Sequence, residues 1–90
     1  MKARIISTEE ISEKLISWKL KDNSIEKTFQ FVDFKTAFDF MTKVAMICDK
    51  MNHHPTWTNT YNKVHISLET HDQNAVTELD LQLAQEIDLL

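Results

Sequence analysis

The stretch FKTAFDFMTKVAMICDKMNHHPTWTNTYNKVHISLET, residues 34–70, decides the fold because its hydrophobic period changes at one proline, Pro55. Before that proline, apolar residues recur every three or four positions behind Asp33, a favourable N-cap, which predicts a long helix. The expected core-facing stripe consists of Phe34, Ala37, Phe38, Met41, Val44, Ala45 and Cys48. A second apolar side, formed by Phe40, Ile47 and Met51, predicts either a wider core contact or a helix contact between subunits.

Pro55 marks the end of this helix, since the residue before a proline favours extended geometry. His53 and His54 are therefore expected in the turn that leaves the helix. Beyond the proline the period becomes two, which is typical of a strand with one buried face. The side expected to be buried carries Val64, Ile66 and Leu68, and the wetter side carries Trp57, Tyr61, Lys63 and His65.

A further helix is predicted at each end of the chain. Ser7 and Glu10 have the spacing of a capping box, and they start a short helix whose inward residues would be Ile11 and Leu15. Thr77 and Asp80 have the same spacing at the start of the closing helix. The expected core stripe of that helix consists of Leu79, Leu83, Ala84 and Ile87.

A hairpin is predicted between the first two helices. Trp18 and Leu20 alternate before an Asp22-Asn23 turn signal, and after it Ile25, Phe29 and Phe31 share one parity. Because the chain has no glycine, Asn23 is the expected position of positive φ in the turn. The order helix, two strands, helix, strand, helix predicts an α+β fold of two layers, with the helices on one face of the sheet.

Composition narrows the class of protein. The chain has 90 residues, a formal net charge of −4 and no run of Lys or Arg, which disfavours nucleic-acid binding. No apolar stretch approaches the roughly 18 residues of a membrane span, and no signal peptide is evident. The single cysteine excludes an internal disulfide and fits a reducing compartment, so a cytoplasmic location is expected. A chain this short has a small core, which makes self-association plausible.

The histidine pair is the feature that suggests chemistry. Imidazole offers acid and base forms near neutral pH, so His53 and His54, with His71 if the sheet returns it to them, could transfer protons. The spacing also leaves open an ordinary polar turn. A metal site would need Asp49, Asp72 or His71 as further ligands, and adjacent histidines in extended geometry point to opposite sides.

Cys48 is a weak candidate nucleophile. It falls on the apolar stripe of the long helix, where a thiol is usually buried and inert. The patterns alone therefore leave the reaction open.

The segment DKMNHHPTWTNTYNKVHISLETHD, residues 49–72, resembles the signature of the pterin-4a-carbinolamine dehydratases. The resemblance extends through the Trp18 strand, the FQFVDFKTAFDFMTKVA segment and the closing ELDLQLAQEID helix. It implies a four-stranded antiparallel sheet with helices packed on one face, in which the stretch after Pro55 bends into two strands. It also implies that residues 1–90 form a single domain and that the chain assembles as a homodimer or homotetramer.

The resemblance also assigns site residues. It places the catalytic histidines at His53, His54 and His71. The acidic helper of the family, which would orient one of these rings or stabilise its charged form, falls on Asp49, where relatives more often have glutamate. Its substrate-binding residues fall on Trp18, Asn52, Pro55 and Thr70. This chain departs from better-known relatives at Glu69, where they have serine, and in a shorter hairpin loop, and either change could alter substrate contacts.

The implied reaction is the dehydration of a 4a-hydroxytetrahydropterin to quinonoid dihydropterin, which recycles the pterin of aromatic amino acid hydroxylases. No metal, nucleotide or prosthetic group is implied, and the partners expected are the pterin substrate and further copies of the chain. Relatives in animals also act as a dimerisation partner of a homeodomain transcription factor. The alternatives are therefore a non-catalytic binding module or an assembly factor, although the intact histidine set favours the enzyme.

Overall fold

Residues 2–90, which this computed structural model describes, form three α-helices and one four-stranded sheet. The elements in chain order are α1 Thr8–Lys14, β1 Lys19–Lys21, β2 Ser24–Gln30, α2 Phe34–Met51, β3 Thr56–Thr60, β4 Lys63–Leu68, a 3₁₀ turn His71–Gln73 and α3 Glu78–Asp88. The strand order is β1-β2-β4-β3, and every neighbouring pair is antiparallel. The predicted α+β class and four-stranded antiparallel sheet are confirmed.

The core lies between the helices and one face of the sheet. Val64, Ile66 and Leu68 of β4 are buried as predicted, because alternate residues of a strand point to the same face. Ile11 and Leu15 also lie in this core. The helices contribute the buried residues Ala37, Val44 and Cys48 from α2 and Leu81, Leu83, Ala84 and Ile87 from α3.

The side assigned to Trp57 was wrong. The chain turns at Tyr61, whose φ is 50°, so the stretch after Pro55 folds back into two paired strands. Trp57 is then opposite Ile66 in the β3–β4 ladder, and directly opposed residues share a face. Trp57 therefore packs against the core, whereas His65 lies on the open face of the sheet.

The predicted stripe of α2 was also partly wrong. Phe34 and Phe38 are exposed, as is Ala45, whereas Phe40 is buried. The ring of Phe40 lies 4.8 Å from that of Phe29, and this contact turns the second apolar side of the helix toward the sheet. Ile47 and Met51 also pack against the core, so the wider core contact is the alternative that holds for this side.

The hairpin turn places its positive φ one residue earlier than predicted. Asp22 has φ of 54°, whereas Asn23 is not among the residues with positive φ. The register pairs Lys21 with Ser24 and leaves a two-residue loop, in which the first position commonly takes φ above zero. Asp tolerates this region almost as well as Asn, so the turn chemistry alone could not choose between them.

Within residues 2–90, no helix has both the length and the apolar character needed to cross a membrane.

Trp18 ties the hairpin to the end of α3. Its indole Nε1 donates to both carboxylate oxygens of Asp88, at 3.1 and 3.0 Å, and Lys27 Nζ donates to Asp88 Oδ1 at 2.8 Å. Lys27 also lies 4.7 Å from the centre of the Phe29 ring, a cation–π distance. Because the Trp18 side chain is buried, its N–H needs this partner.

Asp88→Ala should therefore lower the free energy of unfolding by about 1–2 kcal/mol, because it leaves the buried Trp18 N–H without an acceptor. Asp39→Ala is the control, since Asp39 pairs with Lys35 at 3.0 Å on an exposed helix surface. That change should stay within about 0.5 kcal/mol. Urea unfolding of both variants measures the difference, and equal losses would show that the Trp18 contact contributes nothing.

Candidate active site

A cleft of about 450 Å³ lies where the end of α2, the end of β4 and the start of α3 meet. Its lining contains the three histidines that the resemblance named as catalytic, together with two of the residues named for substrate binding. The lining residues are Asn52, His53, His54, Glu69, Thr70, His71, Asp72 and Leu79. This cleft therefore brings together side chains that are up to 27 residues apart in sequence.

The C-terminal cap of α2 positions His53 in the cleft. Asn52 takes the left-handed conformation, with φ of 52° and ψ of 42°, and the His53 backbone N–H donates to Cys48 O at 3.1 Å. The Asn52 backbone N–H also donates to Asp49 O at 3.2 Å, so the helix ends in a Schellman motif. Asparagine tolerates this conformation without glycine's freedom. The cap fixes the direction in which the histidine pair leaves the helix.

His53 is hydrogen-bonded to a buried carboxylate. Its Nε2 lies 2.6 Å from Asp80 Oδ1, and the Asp80 side chain is 0% exposed. Asp80 Oδ2 already accepts from the Thr77 backbone N–H at 2.9 Å and from the Thr70 hydroxyl at 2.8 Å. Because the Asp80 carboxylate accepts a hydrogen bond from each of these three groups, His53 Nε2 carries the proton in its contact with Asp80. Nδ1 is therefore the ring nitrogen that remains for other contacts.

A short chain of hydroxyl groups supports Asp80. The Thr70 hydroxyl has one proton and donates it to Asp80, so in the 2.6 Å contact between Thr70 Oγ1 and Thr77 Oγ1 the proton comes from Thr77. Thr77 Oγ1 in turn accepts from the Leu79 backbone N–H at 3.2 Å. The capping box predicted at Thr77 and Asp80 is therefore present, and it also orients the partner of His53.

A short loop positions His71. It leaves β4 through Thr70, whose backbone N–H donates to Ala75 O at 2.9 Å and so closes the loop. Gln73 fastens the loop to the N-terminal segment, since its side chain both accepts from Ala3 N and donates to Ala3 O. His71 lies at the first position of the 3₁₀ turn with its side chain 70% exposed, so it remains open to solvent.

Asp49 and Pro55 lie on the other side of His54. They line a second groove, of about 480 Å³, between α2 and β3, and His54 borders both this groove and the histidine cleft. The Asp49 carboxylate is 3.5 Å from His54 Nε2, but its side chain is 89% exposed. Among residues 2–90, His54 is the histidine that the Asp49 carboxylate approaches within 4 Å, so the role predicted for Asp49 would act on His54.

Trp18 and Cys48 lie outside the cleft. Trp18 is buried at the hairpin, where it contacts Asp88, so the structure does not bring it together with the three histidines. Cys48 is buried in the core as predicted, and burial raises the pKa of its thiol to about 11. Such a thiol is almost entirely protonated at neutral pH and is a poor nucleophile.

Among the described residues 2–90, no three His, Cys, Asp or Glu side chains come together in a way that could hold a metal ion. The ligand set of Asp49, Asp72 and His71 that the sequence left open does not form there. Histidine is instead paired with one carboxylate at a time, in the pairs His53–Asp80, His54–Asp49, His65–Glu26 and His71–Glu69.

Sequence reasoning missed Asp80 and Leu79 as site residues. Asp80 was recognised as a helix cap, and nothing in its spacing from His53 indicates that the two meet. Leu79 was expected in the core stripe of α3, yet it is half-buried and lines the cleft. The position of α3 against the end of α2 is a tertiary contact, so no local signal could have identified either residue.

Asp80→Ala should lower the free energy of unfolding by about 3–5 kcal/mol, because it removes one partner of a buried hydrogen-bonded pair and leaves two further donors unsatisfied. Asp33→Ala is the matched control, since the Asp33 carboxylate caps α2 by accepting from Thr36 N at 2.8 Å in an exposed position. Its loss should be about 1 kcal/mol. Chemical denaturation of both variants tests the difference, and similar losses would mean that Asp80 acts only as a cap.

Comparison with known proteins identifies the family. Residues 4–90 match the family model described as pterin 4 alpha carbinolamine dehydratase. A relative from Prochlorococcus marinus strain MIT 9515 is 47% identical over 91 residues, which cover 98% of this chain and 95% of that protein. One from Synechococcus sp. strain WH7803 is 45% identical and covers 91% of this chain and 88% of its own length. The names of both assign them provisionally to the pterin-4-alpha-carbinolamine dehydratases.

Solved structures agree with this family. A crystal structure from Brucella melitensis, described as a transcriptional coactivator/pterin dehydratase, is 38% identical and superimposes with a TM-score of 0.88 over 96% of this chain and 97% of that one. A pterin dehydratase-like protein described as a RuBisCO assembly factor of the alpha-carboxysome shares the fold, with a TM-score of 0.67 at 19% identity over 80% of this chain and 83% of its own. The chain therefore belongs to the pterin-4a-carbinolamine dehydratase family.

Proposed function

We propose that this protein dehydrates a 4a-hydroxytetrahydropterin to quinonoid dihydropterin and water by histidine acid–base catalysis. The observation that carries the proposal is the 2.6 Å contact between His53 and the buried Asp80, in the wall of a cleft that His71 also lines. An oriented imidazole and a second, solvent-accessible imidazole in the lining of one cleft can supply the base and the acid that the dehydration needs.

The reaction moves two protons. The bond between C4a and its hydroxyl oxygen breaks, and that oxygen takes a proton from a general acid and leaves as water. The N5–H bond gives its proton to a general base, and its electron pair forms the new N5–C4a double bond. No electrons are gained or lost overall, so two side chains in opposite protonation states are sufficient.

His53 is the proposed base. Its Nε2–H is committed to Asp80, so Nδ1 carries the lone pair that accepts the N5 proton. The positive charge that then forms on the ring is stabilised by the Asp80 carboxylate, as the buried aspartate does in hydrolase triads. Thr70 and Thr77 hold that carboxylate in place, so its orientation requires no rearrangement during the reaction.

His71 is the proposed acid. Its side chain is 70% exposed, so the ring can regain a proton from water after each turnover. His54, beside Asp49, is proposed to complete the cleft wall. Asn52 and Thr70 line the same cleft, whereas the roles implied for Trp18 and Pro55 stay predictions, as does the link to an aromatic amino acid hydroxylase.

Comparing His71→Ala with His65→Ala tells a histidine that transfers a proton from a polar histidine on the sheet surface. If His71 supplies the proton, its alanine variant should lose roughly 10² to 10⁴ in kcat with an unchanged fold. His65 lies on the open sheet face, where its Nδ1 meets Thr28 Oγ1 at 2.8 Å, and its variant should stay within a few-fold of the wild type. Turnover of synthetic carbinolamine, with circular dichroism of both variants, is the measurement.

Equal losses in the two variants, or a loss in His71→Ala that follows unfolding, would contradict the assignment.

The wild type should also keep its activity after treatment with a chelator. Activity that disappears on chelation and returns with zinc would contradict a mechanism built on histidine alone.

A second candidate function is protein binding, and the outer face of α2 favours it. Phe34 and Phe38 are about half exposed, and their ring centres are 5.7 Å apart. Large apolar side chains gathered on one helix surface are typical of an interaction site. This surface, rather than the side formed by Phe40, Ile47 and Met51, is the proposed contact for a homodimer, a homotetramer or another protein.

Phe38→Glu should weaken such assembly and leave turnover unchanged, because Phe38 does not line the histidine cleft. Light scattering of the wild type should report at least twice the 10.6 kDa chain mass at micromolar concentration, and the variant a smaller mass. Asn23→Glu, in the exposed hairpin turn, adds the same charge and should keep the wild-type mass. A monomeric wild type, or an unchanged mass in Phe38→Glu, would exclude this contact.

A further inference from the structure

Glu69 is a carboxylate in the cleft wall to which the proposed acid–base chemistry gives no role. It follows the last residue of β4, and its side chain is only 24% exposed. Among residues 2–90, its one oppositely charged partner within 4 Å is His71, whose Nδ1 is 3.9 Å away, too far for a hydrogen bond. Within that part of the chain, neither oxygen of Glu69 has a short hydrogen-bond donor, although the residue lines the cleft.

The other carboxylates near the cleft differ from Glu69. Both oxygens of Asp80 are engaged, by His53 on one side and by Thr70 and Thr77 on the other. Asp72 also lines the cleft, but it is exposed on the 3₁₀ turn, where water competes for its oxygens. A half-buried acceptor loses less of its hydrogen-bond strength to water, so Glu69 is the carboxylate best placed to select a ligand.

The pterin ring offers a matching set of donors. Its pyrimidine half carries an amino group at C2 next to N3, and in the form with a proton on N3 the two present adjacent N–H donors on one edge. A carboxylate accepts such a pair through both oxygens, and hydrogen bonds to a charged acceptor are about twice as strong as neutral ones. We propose that Glu69 is a specificity residue that accepts hydrogen bonds from the C2 amino group and N3–H of the pterin. This inference rests on the proposed function of the cleft.

A role for Glu69 only through His71 has weaker support. The His71 side chain is 70% exposed, and an exposed pair at 3.9 Å is strongly screened by water. A substrate that covers the cleft removes that water and strengthens each hydrogen bond made to Glu69. The two roles predict different effects, because a contact to the substrate changes ligand preference, whereas an effect on His71 changes the pH dependence of kcat.

The test compares pterin with lumazine, which differs from it by an oxo group in place of the C2 amino group. The wild type should bind pterin roughly 10- to 100-fold more tightly, because the oxo group turns a donor into an acceptor that faces the carboxylate. Glu69→Gln should reduce this preference to within about threefold, since an amide both donates and accepts. Its KM for the carbinolamine should rise, with kcat and its pH profile nearly unchanged.

Glu26→Gln is the matched control. The Glu26 side chain is also 24% exposed and lies 3.6 Å from a histidine, His65, but on the open face of the sheet. This variant should keep the wild-type preference and KM. Fluorescence titration gives the two dissociation constants for each protein.

Three results would overturn the inference. The first is a Glu69→Gln variant that keeps the wild-type preference for pterin. The second is a Glu69→Gln variant whose pH profile of kcat shifts, which would place its effect on His71. The third is a wild type that turns over carbinolamine without preferring pterin to lumazine, which overturns the role of Glu69 and leaves the proposed function standing. A wild type that neither binds pterin nor turns over carbinolamine would overturn both.

Discussion

The hydrogen bond between His53 Nε2 and Asp80 Oδ1 joins the end of α2 to the start of α3, and the cleft depends on it. A fully buried carboxylate is costly unless every lone pair finds a donor. Asp80 meets that requirement with one donor from each of three places: His53 after α2, Thr70 after β4 and the backbone of Thr77 before α3. The three hydrogen bonds that the buried Asp80 carboxylate requires therefore hold together the three segments that form the cleft walls.

The four histidines show how environment separates residues of one type. Each lies within 4 Å of one carboxylate, yet the His53 side chain is 11% exposed and the other three range from 41% to 70%. Only His53 has a short contact to a buried carboxylate, so only His53 has a ring nitrogen assigned by its surroundings. His65 shares a hydrogen bond with Thr28, whereas His54 and His71 have no short side-chain hydrogen bond among residues 2–90. The open rings of these two suit proton exchange with solvent better than a fixed orientation does.

Helix α2 has two apolar sides, one packed in the core and one exposed at the surface. The aromatic contact between Phe40 and Phe29 settles which side turns inward, and it leaves Phe34 and Phe38 at the surface. The histidine cleft is at the opposite end of this helix, after Met51. An interaction surface and a reaction site can thus occupy one helix without sharing residues, which allows the two candidate functions to coexist in one chain.

The sequence by itself determined the elements, because capping and hydrophobic period act over a few neighbouring residues. The capping box at Thr77, the end of α2 before Pro55 and the buried row of β4 were all predicted in this way. The resemblance of residues 49–72 to the family signature also pointed to the three histidines that line the cleft. Only the tertiary structure decided which side of α2 is buried, that Trp57 faces the core, and that Asp80 meets His53 across 27 residues. These outcomes depend on packing between distant segments, and a local pattern contains no information about which distant side chain satisfies a buried group.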